Sequence, residues 1–217
     1  MPRVDTILSL LKKAYPNARI VLTYGNPWEL LVAVILSAQC TDLMVNKVTE
    51  RLFVKYKTLD DYVNAYITEF EKDIKSTGFY HSKAKNILAA AKLVKEKFAG
   101  SVPKTMEEIL TIPGVARKTA NVVLGNAYNV VEGIVVDTHV LRLSQRLRLV
   151  DVDRSIPDYK KDADPVKIEK QLMEYLPKDM WFKTTYLLID HGRAVCKAQK
   201  PDCAHCVVSA HCPASRV

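Results

Sequence analysis

The chain has 217 residues, 48% of them hydrophobic, which is enough for a buried core in one large domain or two small ones. No apolar run is long enough to cross a membrane and Met1 to Lys12 lack the apolar core of a secretion signal, so we expect a cytoplasmic protein of a reducing compartment. The net charge of +8 makes a polyanion the simplest partner, with a basic protein that merely stays soluble as the alternative.

Apolar residues recur with a helical period almost throughout, so the predicted fold class is all-α. Asn26 and Pro27 predict an N-cap and a first helical residue before the apolar stretch 30–38. A second amphipathic helix is predicted from Ser82, with Gly100 as its stop.

Three further signals follow along the chain. Thr105 and Glu108 form the pattern of a capping box at the start of a short helix. Residues 133–136 are the one strand-like run, and it is short. Asp164 and Pro165 predict the start of a late helix with an apolar side.

The segment from Ile112 to Ala120 has the pattern of a tight turn between two short helices. Gly114 can adopt the left-handed conformation that such a turn needs, and the next backbone N–H groups then point outward at the start of the helix 120–127. Such amides bind phosphate without regard to base sequence. The alternative is a plain connection between helices.

Two ionisable residues, one at the start of this helix and one beyond its end, are candidates for catalysis. Lys118 lies in its first turn beside Arg117, where the positive end of the helix dipole favours the neutral amine that a nucleophile must be. Asp137 precedes Thr138 at the end of an apolar run. The alternatives are that Asp137 only caps a helix beginning at Thr138, and that Lys118 is a solvated or phosphate-binding lysine.

Four of the five cysteines lie near the end of the chain with the spacing C-x6-C-x2-C-x5-C: Cys196, Cys203, Cys206 and Cys212. Four thiolates from one compact loop suit a 4Fe-4S cluster. A zinc ribbon normally presents two separate close pairs, and zinc remains one alternative. A pair of disulfides is the other, although nothing else in the chain is typical of a secreted protein.

Taken together, these segments resemble the endonuclease III family, DNA repair glycosylases of the helix-hairpin-helix superfamily that carry a 4Fe-4S cluster. The resemblance covers essentially the whole chain in the expected order, through Leu36 to Gln39, the turn Ile112 to Ala120, Val136 to His139, His191 to Arg193 and the cysteine loop. It implies a two-lobed all-helical fold with a six-helix domain at residues 20–130. Residues 1–19 and 131–217 would form the iron-sulfur cluster domain, with DNA across the cleft.

The resemblance also implies a function. The partner would be damaged double-stranded DNA, bound by a nucleoid-associated monomer. An oxidised pyrimidine would be flipped out of the duplex, Lys118 would attack the sugar C1′, and the resulting Schiff base would cut the strand by β-elimination. Asp137 would stabilise the developing sugar cation and take part in proton transfers. Related glycosylases with Ser, Tyr or Trp in place of Lys118 remove a base without forming an imine.

Further DNA contacts follow from the resemblance alone. Gln39 and Phe79 match the residues that fill the vacated stack and wedge the opposite strand, although the family usually has leucine in place of Phe79, and Phe79 can instead be a core residue. Ala116 departs from the usual glycine of the hairpin. The remaining predicted DNA-binding residues are Gly114, Arg117, Thr119, His139, Arg193, Lys197 and Lys200.

Two other functions remain open at this stage. A catalytically silent DNA-binding module would explain the charge, the turn and the cysteines, but it leaves Lys118 with Asp137 unexplained. A monofunctional mismatch glycosylase would release a base without cutting the strand. The lysine at position 118 favours the bifunctional glycosylase and lyase over both.

Overall fold

The computed structural model of the protein describes residues 2–153 and 158–217. Within those ranges all regular structure is helical, so the predicted all-α class is confirmed, and residues 133–136 form neither helix nor strand. The helices are α1 (Pro2–Ala14), α2 (Pro27–Leu36), α3 (Asp42–Lys55), α4 (Leu59–Val63), α5 (Ile67–Ile74), α6 (Tyr80–Lys97), α7 (Met106–Ile109), α8 (Arg117–Tyr128), α9 (Thr138–Arg146), α10 (Pro165–Tyr175) and α11 (Lys178–Ala194). Short 3-10 helices lie at Lys75–Thr77 and Ser209–His211. Among the described helices, none has the length and apolar character needed to span a bilayer.

The chain divides into two compact units. The central unit comprises Val21–Glu132 and contains α2 to α8. The terminal unit comprises Met1–Ile20 together with Gly133–Val217 and contains α1 and α9 to α11. Each unit has a buried apolar core of its own.

In the central unit, α2 is a buried helix with three neighbouring helices. Every residue from Leu30 to Leu36 is buried, and the helix contacts α3, α6 and α8. A helix that is apolar on all sides belongs in a core. Its predicted start is confirmed, because the Asn26 side chain accepts a hydrogen bond from the Glu29 N–H and Pro27 occupies the first turn.

Two other central helices, α6 and α7, differ slightly from prediction. α6 begins at Tyr80, before Ser82, and ends at Lys97, so that Gly100 follows the helix with φ +79° and donates its N–H to Val94. Thr105 caps α7 as predicted. Its hydroxyl, however, donates to the Glu108 carboxylate at 2.8 Å, in place of the backbone contact of a complete capping box.

The terminal unit joins the two ends of the chain in one core. α11 packs against α1 and α9, and α10 packs against α9. Leu11 of α1, Leu143 of α9 and Leu187 of α11 are all fully buried in this core. The predicted start of α10 is confirmed, since the Asp164 side chain accepts from the Val166 N–H and Pro165 follows it.

Candidate active site and candidate metal centre

The turn before α8 has a conformation that only glycine tolerates well. Gly114 has φ +80°, and a Cβ added there would lie 2.9 Å from Cβ of Asn86. The turn is closed by a hydrogen bond from the Val115 N–H to the Ile112 carbonyl at 3.1 Å. The backbone is thus held close to α6 at the point where it enters α8.

The N-terminus of α8 has no side-chain cap. Ala116 occupies the N-cap position with extended backbone angles, and its methyl group can accept no hydrogen bond. The first turn contains no acidic residue. Lys118 lies in that turn with an exposed side chain, between the exposed Arg117 and the half-buried Thr119. The positive end of this helix is therefore neither capped by the N-cap side chain nor offset by an acidic residue in the first turn.

The N-terminus of α9 is capped by a carboxylate. Oδ1 of Asp137 accepts hydrogen bonds from the backbone N–H groups of His139 and Val140, both at 2.8 Å. The hypothesis that Asp137 caps a helix beginning at Thr138 is therefore confirmed. Both cap hydrogen bonds go to one oxygen, so Oδ2 takes no part in the cap.

His139 packs between α9 and α11. Nη2 of the buried Arg142 donates to Nδ1 of His139 at 3.2 Å and to the Gly192 carbonyl at 3.1 Å. Burial lowers the pKa of His139. A Cβ on Gly192 would lie 2.7 Å from Nδ1 of His139, so this position of α11 has room only for glycine. The DNA contact predicted for His139 remains a prediction.

Gln39 and Phe79 project from separate loops of the central unit. Both are exposed, and Phe79 retains 66% of its accessible surface. The interpretation of Phe79 as a core residue is therefore wrong. Both residues have left-handed backbones, with φ +52° for Gln39 and φ +48° for Phe79. Non-glycine residues held in this region are concentrated at functional sites.

The four clustered cysteines share one cavity. All five cysteines of the chain are free thiols. Cys196, Cys203, Cys206 and Cys212 line one shared cavity, whose non-atom space of about 380 Å³ includes open solvent. Across the described ranges, no three His, Cys, Asp or Glu side chains gather closely enough to hold a single ion. The thiols instead line the wall of a common space.

A histidine links this cavity to Tyr15, the residue that follows α1. Nε2 of His191 lies 3.4 Å from Sγ of Cys206, and Nδ1 lies 3.0 Å from the Tyr15 hydroxyl. Burial lowers the pKa of His191 to about 4, which leaves the ring neutral at neutral pH. If the Tyr15 hydroxyl donates to Nδ1, the proton of the neutral ring is on Nε2 and faces the cysteine sulfur.

The loop between the first two cysteines is held by a buried arginine. Arg146 is 2% exposed, and its Nη1 donates to the Lys197 carbonyl at 2.8 Å and lies 3.3 Å from Sγ of Cys196. Nη2 donates to the Ala198 carbonyl at 2.9 Å, and the Asp158 carboxylate pairs with the guanidinium. The side chains of Lys197 and Lys200 are exposed on this loop. Arg193 is exposed at the end of α11.

Comparison with known proteins identifies the family. Residues 32–178 match the HhH-GPD superfamily base excision DNA repair protein model. Endonuclease III of Synechocystis sp. is 49% identical over 99% of this chain and 93% of its own, and that of Bacillus subtilis is 43% identical over 98% and 92%. The chain belongs to the endonuclease III family. This family membership makes it a base excision repair enzyme, a DNA glycosylase with AP lyase activity.

A solved endonuclease III is also similar in structure. A trapped endonuclease III–DNA covalent intermediate, in an estranged-adenine complex, matches 99% of this chain and 96% of its own, with a TM-score of 0.89 and 42% identity. A relative with the same fold as this endonuclease III family member has therefore been trapped in covalent attachment to DNA.

Three buried cations of this family member escaped prediction from the sequence: Lys83, Arg142 and Arg146. Each binds backbone carbonyl groups that are distant in the chain. Arg142 and Arg146 are four residues apart and so lie on one face of α9. An arginine pair at this spacing, beside leucines, is the sequence pattern from which their burial could have been predicted. Lys83 lies in the first turn of α6 and had no comparable signal.

Proposed function

We propose that the protein removes oxidised pyrimidines from double-stranded DNA and cuts the abasic strand, with Lys118 as the nucleophile. The observation that carries the proposal is an exposed primary amine in the first turn of a helix with no side-chain cap, immediately after the Gly114 turn. The covalent endonuclease III–DNA intermediate of a relative with the same fold supports it.

The chemistry proceeds through one covalent intermediate. The neutral Lys118 amine attacks C1′ as the bond from C1′ to the base breaks, and the departing base takes up a proton. The amine loses a proton, and the sugar ring then opens as O4′ takes up a proton, which gives an iminium ion. The iminium acidifies the C2′ proton, whose removal expels the 3′ phosphate by β-elimination. Water then hydrolyses the imine and restores Lys118.

Asp137 supplies a negative charge in this scheme. A sugar that is losing its base develops positive charge, which a fixed carboxylate stabilises. The cap hydrogen bonds hold the Asp137 carboxylate through Oδ1, so Oδ2 can face the substrate or move a proton. We propose that capping and catalysis are two uses of one side chain.

The remaining predicted residues bind DNA in this proposal. The amides at the start of α8, with Gly114, Ala116, Arg117 and Thr119, would hold a phosphate. Two exposed side chains, Gln39 and Phe79, would enter the duplex when the damaged base leaves it. On the terminal unit, the residues that would contact DNA are His139, Arg193, Lys197 and Lys200. Binding would take place at the chromosome, which makes the protein cytoplasmic and nucleoid-associated.

We propose that a 4Fe-4S cluster is held by the four cysteines that line the common cavity. Their soft sulfur donors fit iron, and two sulfurs lie near hydrogen-bond donors, Cys196 near Arg146 and Cys206 near His191. The cluster would supply structural rigidity to the basic loop of Lys197 and Lys200. Purified protein should be brown and contain about four iron atoms per chain. Stoichiometric zinc would contradict this assignment.

Borohydride reduction tests the nucleophile. Wild-type protein mixed with an oligonucleotide that contains one oxidised pyrimidine should give a protein–DNA adduct, because reduction of the imine makes the bond permanent. Lys118→Ala should lose the adduct. Lys92→Ala is the matched control, because Lys92 is also an exposed lysine on a helix of the central unit, and it should give the wild-type yield.

Three outcomes would contradict the proposal. An adduct that survives Lys118→Ala would remove Lys118 from the role. Base release without strand cutting until alkali is added would make the protein a monofunctional glycosylase. Binding to abasic DNA without any cutting would make it a DNA-binding module.

A further inference from the structure

A buried lysine joins two loops of the central unit. Lys83 is 5% exposed, and its ammonium donates to the carbonyl of Leu36 at 2.7 Å and to that of Thr77 at 2.8 Å. Leu36 is the last residue of α2, and Thr77 is the last residue of the 3-10 helix before α6. One side chain therefore links the ends of two elements that are 41 positions apart in the numbering.

Each of these ends leads directly into a loop with an exposed, left-handed residue. Gln39 lies three residues after Leu36, with φ +52°. Phe79 lies two residues after Thr77, with φ +48°. Gln39 and Phe79 are the side chains that the proposed function places inside the duplex. Left-handed conformations of this kind are strained in residues other than glycine, so the surrounding structure must hold them in place.

The ammonium group is well suited to hold both ends. The carbonyl end of a helix carries partial negative charge, and Leu36 presents its carbonyl at the C-terminus of α2. Two short hydrogen bonds from a charged donor have a narrow range of geometry. Burial also lowers the pKa of Lys83, which shows that a cation at this position is costly. A methionine of similar length would fill the space without that cost.

We propose that Lys83 is a positioning residue that fixes the two loops relative to each other, so that Gln39 and Phe79 enter the duplex together. This inference rests on the proposed function, which assigns those two side chains to the duplex. Lys83 itself touches no DNA in this scheme and acts through the backbone of both loops.

The test is a double-mutant cycle on base release. In single-turnover assays on duplex DNA with one oxidised pyrimidine, Lys83→Met should be about 10- to 100-fold slower than wild type, since a displacement of about 1 Å costs this much. In a Gln39→Ala, Phe79→Ala background the same substitution should have no further effect, because the side chains that it positions are absent. Lys85→Met on the exposed face of α6 is the matched control and should leave the rate unchanged.

A second readout separates positioning from loss of the fold. With single-stranded abasic DNA there is no stacked duplex to enter, so borohydride trapping by Lys83→Met should give the wild-type adduct yield. 2-Aminopurine placed opposite the lesion should brighten on binding of wild-type protein, and much less on binding of Lys83→Met. If Lys83→Met does not fold, Lys83→Gln replaces it in the cycle, because its amide nitrogen is uncharged and lies one bond closer to the backbone than the lysine ammonium.

The inference is overturned by a Lys83→Met protein as fast as wild type on duplex DNA, or by a rate loss of equal size with and without Gln39 and Phe79. The proposed function fails separately, through absence of the wild-type adduct at Lys118. A wild-type adduct combined with an additive loss at Lys83 would leave the nucleophile in place and reject only the positioning role.

Discussion

Two helix N-termini carry the two residues proposed for catalysis, and these N-termini differ in how they are capped. In α8 the N-cap is Ala116, which makes no side-chain hydrogen bond, and the residue proposed for catalysis is Lys118 in the first turn. In α9 the N-cap is Asp137, whose Oδ1 accepts from two backbone N–H groups. We call the N-terminus of α8 the open end, because no N-cap side chain caps it, and the N-terminus of α9 the closed end, because Asp137 itself caps it.

The difference concerns which group satisfies the free amides of each helix. A side-chain cap contributes about 0.5–2 kcal/mol of stability, so the open end of α8 gives up stability that α9 retains. An open, positive helix end attracts a phosphate. A closed end instead fixes the direction of its own carboxylate. We infer that α8 is built to bind an external anion and that α9 is built to hold an internal one.

The largest expected effect comes from a substitution at Asp137 that keeps the helix cap but removes the negative charge. Asn caps helices as well as Asp does, so Asp137→Asn should change the free energy of unfolding by less than about 0.5 kcal/mol. The loss of negative charge should lower the single-turnover rate of base release by about 10²- to 10³-fold. Thermal unfolding and base release measured on the same sample check both parts.

Asp137→Ala completes this experiment. It should show the same loss of rate together with a loss of about 1 kcal/mol of stability, because the cap is then gone as well. If Asp137→Asn were as active as wild type, the carboxylate would be a cap alone and the closed end of α9 would have no catalytic meaning.

Four helix caps of this fold were predicted from the sequence because each depends on neighbouring residues. Asn26, Thr105, Asp137 and Asp164 each accept a hydrogen bond from an amide two or three residues further on. Short polar side chains followed by an apolar run are sufficient to predict such contacts. The turn at Gly114 was readable for the same reason.

The partners of the buried cations could not be predicted, because they are backbone carbonyls far along the chain. Lys83 reaches Leu36 across 47 residues, and Arg146 reaches Lys197 across 51. Every residue has a carbonyl, so no residue type marks the partner. The four cysteines were readable as a group by their spacing, whereas the cavity that they line required the fold.

The second prediction concerns a substitution in the Gly114 turn, which leads into the open end of α8. Gly114→Ala forces a left-handed backbone on alanine and places its Cβ 2.9 Å from Cβ of Asn86. Together these effects should lower the free energy of unfolding by about 2–4 kcal/mol and weaken DNA binding. Gly100→Ala is the control in chemical denaturation, since Gly100 has φ +79° and the nearest atom to an added Cβ is Cδ2 of Leu59 at 3.9 Å. A loss no larger than that of Gly100→Ala would mean that α6 yields freely at Asn86.

The third prediction disturbs the closed end from the neighbouring helix. A Cβ at Gly192 would lie 2.7 Å from Nδ1 of His139 and 3.0 Å from Nη2 of Arg142. Gly192→Ala should therefore cost about 1–3 kcal/mol of stability and slow base release, because His139 belongs to the first turn that Asp137 caps. Adding His139→Ala removes the imidazole and should restore part of the stability. If the double variant is no more stable than Gly192→Ala, the imidazole is not the obstacle.

The smallest effect should come from giving α8 the cap that α9 has. Ala116 has φ −98° and ψ 170°, the extended conformation that an N-cap residue adopts, so Ala116→Asp can cap α8 without a change of backbone. The free protein should become more stable by about 0.5–2 kcal/mol in chemical denaturation.

The same substitution should weaken binding to abasic duplex DNA, because the new carboxylate occupies the amides that a phosphate would use and repels the phosphate charge. Ala116→Asn separates these two causes, since it adds a neutral cap. It should gain similar stability and lose less affinity than Ala116→Asp. If both variants gain stability and bind DNA as tightly as wild type, the open end of α8 is not the phosphate site, and the contrast between the two helix ends has no bearing on DNA binding.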